Sequence, residues 1–323
     1  MESTDLILYK SYAVSDVGTN GGRISTTSVT SNVLNNMFPN ISETERTSGT
    51  TRYRKFFFKN NNASAETAAN SRFWISSRST GGDYFRIKAG TNTDTQSDAS
   101  SYTSWLGSGY LSAQVTPDST AIEAVFDVAD GIYNGSRIRL TDSSGVEEFL
   151  VVNTVSWLST TATITPTTSP LNTYAAAATS LVCGVVDVSS LICSTASWVE
   201  TSVSGTYDET TYPVEVNNVG TVEDTWTLTF TSAIAFTVSG AITGSVGSGT
   251  RGSNFSPINP NASGNYYFML RATGWGGTWA IGDTVTFATH HSAASIWVKE
   301  IVPASTSALS PNTFKFKLYA EGS

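Results

Sequence analysis

The sequence predicts an all-β protein of several antiparallel β-sandwiches or barrels, with one or two short helical turns near residues 31–48. Apolar residues alternate with Thr or Lys over most of the chain, turn-forming pairs separate these runs, and helical spacing is confined to one region. The composition agrees, because charged residues make up only 14% of the chain, against about a quarter in an average soluble domain.

The helical signal lies between residues 31 and 49. Ser31 can cap a short helix that ends before Pro39, because its apolar residues fall on one side. Ser42 and Glu45 then have the spacing of a capping box, and Gly49 ends the second turn. We expect one or two turns in each helix.

The strand signal is clearest in the second half of the chain. Segment 225–230 alternates Trp, Leu and Phe with Thr, and segment 314–318 alternates Phe and Leu with Lys. One apolar face and one Thr or Lys face are typical of a half-buried antiparallel strand. The pairs Asn134-Gly135 and Gly282-Asp283 lie between such runs and favour turns.

The two ends of the chain are predicted to share one domain. Residues 1–115 contain few strands for a closed sandwich, and residues 292–323 contain two more. Because domains accept insertions at loop tips, we predict a split β-sandwich of 1–115 plus 292–323. A small inserted β domain at 116–205 and a second one at 206–291 complete the predicted organisation.

The charge pattern argues against a nucleic-acid partner. The net charge is −8, whereas binding to a phosphate backbone needs clustered Lys and Arg. The main basic cluster alternates with aromatic residues, so we interpret it as a strand with one solvent-exposed face, with an anion or partner site as the alternative. Its members are Arg52, Arg54, Lys55 and Lys59.

Membrane insertion and secretion are not expected either. A membrane helix needs about 18 apolar residues in succession, and the sequence has no such run. The N-terminus is acidic and no long apolar stretch follows it, which differs from a secretory signal.

The sequence predicts no catalytic residue, metal or cofactor, and the chain is not expected to be an enzyme. His290 and His291 are the only two histidines, and neighbours in a strand point to opposite faces, so we expect a surface pair rather than a metal site. The densest carboxylates are ordinary for an acidic β-protein, and Asp127–Gly131 is expected to form a turn. These carboxylates are Glu147, Glu148, Asp127 and Asp130.

The two cysteines, Cys183 and Cys193, lie among apolar neighbours. We expect both to be reduced and buried, as small apolar side chains. A disulfide between them is the alternative.

A Gly-rich loop provides the one candidate binding surface. Trp275 and Trp279 lie in this loop, with Tyr266 and Tyr267 upstream. Packing in a core is the favoured interpretation of these four rings, and contact with a partner protein or a glycan is the alternative, which makes them the candidate contact residues.

Several segments together resemble a family of tailed-bacteriophage virion proteins, over about half of the chain. The resemblance is carried by 35–39, 43–46, 53–55 with Lys59-Asn60, 73–75 and 297–304, and by the Trp- and Gly-containing segments 225–230, 274–279 and 282–285. These motifs are structural and include no catalytic signature. The resemblance implies a component of the virion.

We therefore expect a non-enzymatic structural protein that is assembled into the phage particle after synthesis in the host cytoplasm. Its expected partners are other copies of itself and other virion proteins, at the neck or collar, the tail or the head exterior. One alternative is a receptor- or glycan-binding module of the adsorption apparatus, and another is a head decoration protein. A polysaccharide depolymerase is disfavoured, because no β-helix repeat is visible.

Overall fold

The computed structural model describes residues 1–322, which form twenty β-strands and two short α-helices. The prediction of an all-β fold with several sheets is confirmed. All strand pairs are antiparallel, as the alternation of apolar and polar residues predicts.

The first sheet joins the two ends of the chain. Its strands are β1 (Leu6–Ala13), β2 (Gly21–Ser28), β3 (Thr50–Asn60), β5 (Tyr84–Ala89) and β19 (Ala293–Val302). Their order is β2-β1-β3-β19-β5. Strand β19 lies between β3 and β5, so a segment near the C-terminus completes a sheet that the first 60 residues begin.

The second sheet has eight strands and contains a closed barrel. Its strands are β4 (Ala68–Ser77), β6 (Ser108–Leu111), β7 (Ile122–Val125), β8 (Arg137–Thr141), β9 (Glu147–Leu158), β10 (Thr161–Pro166), β11 (Ala177–Leu191) and β20 (Lys315–Gly322). The order is β20-β4-β11-β6-β7-β10-β9-β8, and β8 pairs back with β11. This last pairing closes a barrel of six strands.

Strand β11 connects the barrel to the sandwich. Residues 177–185 pair with β6 and β8 inside the barrel, whereas residues 185–191 pair with β4. The first sheet packs against the β20-β4-β11 part of the second sheet, with Phe58, Phe73 and Ile296 in the shared core. A separate apolar core fills the barrel.

The third sheet belongs to the middle of the chain. Its strands are β12 (Ser194–Thr201), β14 (Asp224–Phe230), β15 (Ala235–Gly240), β16 (Gly244–Thr250) and β18 (Thr284–His290), in the order β12-β18-β14-β15-β16. Strands β13 (Ser204–Tyr207) and β17 (Trp275–Thr278) form a small sheet that covers one face. Strand β12 lies in this sheet, although the predicted boundaries assign it to the preceding domain, residues 116–205.

The predicted capping box is confirmed, and one predicted helix is not. In helix α1 (Glu43–Ser48), the Ser42 N–H donates to Glu45 Oε2 at 2.7 Å and the Glu45 N–H donates to Ser42 Oγ at 3.3 Å. Residues 31–38 form turns instead, because Asn32 and Asn35 adopt left-handed conformations with φ of 61° and 58°.

A second short helix lies in a segment rich in Thr, Asn, Asp and Ser, residues 90–104. Helix α2 (Gln96–Ala99) begins after Thr95, whose N–H and hydroxyl both donate to Asp98. Trp105 and the buried Ala99 pack with Trp297 against the outer face of the first sheet. The loop therefore covers that face.

The prediction that the basic strand has a solvent-exposed face is wrong. Arg52, Arg54 and Lys55 are 4%, 5% and 1% exposed. They form ion pairs with Glu300, Asp16 and Asp94, respectively, on both faces of the sheet. The alternation is present, but other segments cover both faces.

No helix within residues 1–322 has the length and apolar character needed to cross a membrane.

Candidate functional site

The candidate aromatic contact residues lie largely inside the core of the third sheet. Trp279 is 1% exposed and stacks on Phe230, with the ring centroids 4.3 Å apart and the planes at 11°. Its Nε1 donates to the Gly276 carbonyl at 3.1 Å. Tyr267 is 5% exposed and packs against Trp226. Core packing, the favoured interpretation, therefore holds for Trp279 and Tyr267, and the contact alternative fails for them, because a buried ring presents no face to a sugar or a neighbouring protein.

Trp275 and Tyr266 are partly buried. The Trp275 ring lies 5.5 Å from Phe236 and 5.6 Å from Phe230, so it closes the rim of the same core. Tyr266 lies in an irregular bridge with Ile258, and its carbonyl accepts a hydrogen bond from Asn217. These rings serve mainly to pack the sheet.

Three turns meet at one end of the third sheet, close to this aromatic core. Thr284, the first residue of β18, pairs with Thr201 on one side and Thr229 on the other. The Gly282 N–H donates to the Phe230 carbonyl, and the Phe230 N–H donates to the Asp283 carbonyl, both at 2.9 Å. The β12–β13, β14–β15 and β17–β18 turns are therefore neighbours.

Each of these turns exposes one branched aliphatic side chain. Val203 is 99% exposed, Ile281 is 79% exposed and Ile234 is 65% exposed. We call these three residues the aliphatic tip. Isolated exposed apolar residues are ordinary, but these three lie on adjacent turns at one end of the sheet, and covering exposed apolar side chains is favourable in free energy.

Hydrogen bonds hold the turns of the aliphatic tip in place. Arg251 joins the β14–β15 turn to strand β17, because its N–H donates to the Ile234 carbonyl at 2.9 Å and its guanidinium donates to the carbonyls of Gly276 and Gly277. The Ala280 N–H donates to Asp283 Oδ2 at 2.9 Å. These hydrogen bonds fix the backbone of the β14–β15 and β17–β18 turns.

Sequence reasoning missed the aliphatic tip. Val203 lies between two serines and Ile281 between Ala and Gly, so each looks like one apolar residue in an ordinary turn. An apolar residue inside a turn motif was the only available signal. The strand register brings the three positions together, and the sequence does not show that register.

The two histidines occupy different environments. The His290 Nδ1 lies 2.8 Å from Glu223 Oε1, and this side chain is 43% exposed. His291 is 6% exposed and packs edge-on against Phe57. The expectation of a surface pair is therefore wrong for His291, and burial lowers the pKa of its imidazole. Within residues 1–322 no group of three or more His, Cys, Asp or Glu side chains could hold a metal ion.

The carboxylates that the sequence singled out bind neighbouring groups of the chain. Glu147 pairs with Arg139, and Asp127 pairs with Arg78. Glu148 accepts the Leu171 N–H at 2.8 Å. Asp130 accepts the hydroxyl of Tyr133. These four groups order turns and strands of the barrel.

Both cysteines are buried and unbonded, as predicted. Burial raises the pKa of the Cys183 thiol to about 12 and that of the Cys193 thiol to about 11. Neither thiol is therefore ionised at neutral pH.

Comparison with models of protein families, with curated protein sequences and with solved structures finds no match to this chain.

Proposed function

We propose that the chain is a non-enzymatic structural protein of a tailed-phage virion, present in several copies on the neck or collar, the tail or the head exterior. Its role is to bind other copies of itself and neighbouring virion proteins. The motif resemblance described above supports the class of protein, and the aliphatic tip supports the mode of action.

The aliphatic tip is the observation that carries this proposal. Covering apolar surface contributes about 25 cal/mol per Å², and Val203, Ile234 and Ile281 are all more than half exposed. The surrounding turn residues are mostly Ser, Thr, Ala and Gly. Uncharged groups of this kind lose less on desolvation than charged groups do, so the end of the sheet suits a contact with another protein.

The charge supports a position away from the genome. The net charge of −8 disfavours a surface that faces packaged DNA. A stable contact buries about 1,200–2,000 Å² in total, which is more than three side chains supply. Neighbouring parts of the third sheet therefore contribute as well.

A triple substitution tests the proposal in the phage that encodes the chain. The variant Val203→Ser, Ile234→Ser, Ile281→Ser should fold normally, because these side chains are exposed in the isolated chain. We expect a phage carrying it to assemble particles that contain less of the chain, as quantified by mass spectrometry of purified virions. Electron cryomicroscopy of wild-type particles should show the aliphatic tip against a neighbouring subunit.

The matched control is Leu171→Ser, which changes an aliphatic residue of 81% exposure in the barrel. This variant should be incorporated like the wild type. Wild-type virions without the chain would refute the virion assignment, whereas normal incorporation of the triple variant would refute the role of the aliphatic tip.

A further inference from the structure

A lysine and an aspartate are enclosed together on the outer face of the first sheet. The Lys55 side chain is 0% exposed and the Asp94 side chain is 5% exposed. Lys55 Nζ lies 2.5 Å from Asp94 Oδ1, yet this contact lacks the alignment of a hydrogen bond. The amine therefore lies beside the carboxyl group of Asp94.

The surroundings of Lys55 position its amine. Nζ donates to the carbonyls of Gly22 at 2.7 Å and Asp94 at 3.1 Å. The Phe57 ring centroid lies 4.9 Å from Nζ and the Trp297 ring centroid lies 5.8 Å away. These rings exclude water from the pair, and burial lowers the pKa of Lys55.

The second carboxyl oxygen of Asp94 receives two hydrogen bonds. The Tyr102 hydroxyl donates to Oδ2 at 2.6 Å, and Trp297 Nε1 donates to the same atom at 2.8 Å. Two donors on one oxygen are the arrangement that stabilises negative charge on a carbonyl oxygen during acyl transfer. The amine and these donors thus contact different oxygens of the carboxyl group.

We propose that Lys55 and Asp94 condense to an intramolecular isopeptide bond. The Nζ–Cγ bond forms and the Cγ–Oδ1 bond breaks. Two of the three ammonium protons move to Oδ1, which leaves as water, and Oδ2 becomes the amide oxygen. The third proton stays on the amide nitrogen, where the Gly22 carbonyl can accept it. The reaction converts one cation and one anion into a neutral amide, and needs no oxidant or cofactor.

Burial favours this reaction in two ways. A charged pair in an apolar site carries a large desolvation penalty, which the neutral amide avoids. The fixed position of the amine also replaces an encounter in solution with a reaction between groups already in contact. The product would join strand β3 covalently to the loop that carries helix α2. This inference is independent of the proposed function.

Mass spectrometry of the purified full-length chain under denaturing conditions tests the bond. We expect an intact mass below the sequence mass by one water molecule. Trypsin should release a branched peptide in which residues 55–59 are joined to residues 89–137, because modified Lys55 remains attached to Asp94. The variants Lys55→Met and Asp94→Ala should each have the full mass expected for their sequence.

Two comparisons make the test specific. Lys299→Met is the matched control, because Lys299 lies on the same face, over the Trp105 ring, and this variant should still lose one water. If the chain instead loses its water molecule at Asp130-Gly131, peptide 89–137 stays linear and is not joined to residues 55–59. That result would overturn the proposal. A wild-type chain that keeps its full mass after prolonged incubation would also overturn the proposal. Lys55 and Asp94 would then form only a buried ion pair. The wild-type digest decides the question even if a variant fails to fold.

Discussion

Lys59 shows how one partly buried charge can link stability to pH. Its Nζ donates to the Val219 carbonyl at 2.7 Å, between the first and third sheets. Burial lowers the pKa of this lysine to about 8. An unfolded lysine holds its proton up to about pH 10.4. Between these values the unfolded chain binds more protons than the folded chain, so this group makes the free energy of unfolding rise with pH.

We predict that Lys59→Met removes this rise of the free energy of unfolding with pH. Between pH 8 and pH 10, the free energy of unfolding of the wild type should rise by about 3 kcal/mol at most relative to that of the variant. Denaturant unfolding at several pH values measures the difference. Lys317→Met, which changes an exposed lysine of β20, should follow the wild-type profile. Parallel profiles for the wild type and Lys59→Met would contradict the prediction.

Trp279 is the second residue with a clear energetic consequence. Because the ring is buried and stacked on Phe230, Trp279→Ala should lower the free energy of unfolding by about 3–5 kcal/mol. Ile281→Ala, two positions away and 79% exposed, should change it by less than about 0.5 kcal/mol. Thermal and denaturant unfolding compare the two variants. A small loss for Trp279→Ala would show that the ring is not part of the core.

At the scale of the element, the β13–β17 pair depends on glycine. Gly277 has φ of 61°, and a Cβ at this position would overlap the Ser204 carbonyl on the partner strand. Gly282 has φ of 91° but open space around its Cα. A side chain at Gly282 would cause backbone strain alone, whereas one at Gly277 would cause both backbone strain and a steric clash.

We predict that Gly277→Ala destabilises the chain more than Gly282→Ala does. The second variant should lose about 1 kcal/mol from backbone strain alone, and the first should lose more because β13 and β17 must also separate. The midpoint of thermal unfolding gives the order. Equal losses would mean that the strands can move apart freely.

Local patterns predicted some elements correctly for identifiable reasons. The capping box of α1 needs only Ser42 and Glu45, which are three residues apart, so the sequence contains the complete signal. The predicted helix at 31–38 failed because Asn32 and Asn35 tolerate the left-handed conformation that ends helical hydrogen bonding. The pattern of apolar residues there did not reveal this preference.

At the scale of the whole molecule, the third sheet and its core use only residues 194–290. Polar contacts attach it to the remainder of the chain. Asn218 Nδ2 donates to the Glu66 carbonyl at 3.0 Å, and the Ser292 hydroxyl donates to the carbonyls of Asn60 and Asn218 at 2.6 and 3.1 Å. The apolar core of the third sheet is separate from this junction.

We predict that residues 192–291 fold when expressed alone, because they contain every strand of the third sheet and its core. Removal of residues 292–323 from the full chain should instead prevent the first sheet from forming, since β19 lies between β3 and β5. Cooperative thermal unfolding, followed by near-ultraviolet circular dichroism, tests both fragments. A disordered 192–291 fragment would show that the third sheet requires the junction.

The local sequence specifies strand character, turns and one helix cap, because alternation and capping depend on residues a few positions apart. Tertiary structure decides which strands become neighbours, since any two strand edges offer similar backbone donors and acceptors and only packing selects between them. This selection places β19 beside β3, buries Lys55 against Asp94 and gathers Val203, Ile234 and Ile281 at one end of a sheet. The candidate contact surface and the candidate covalent bond both arise from such long-range pairing.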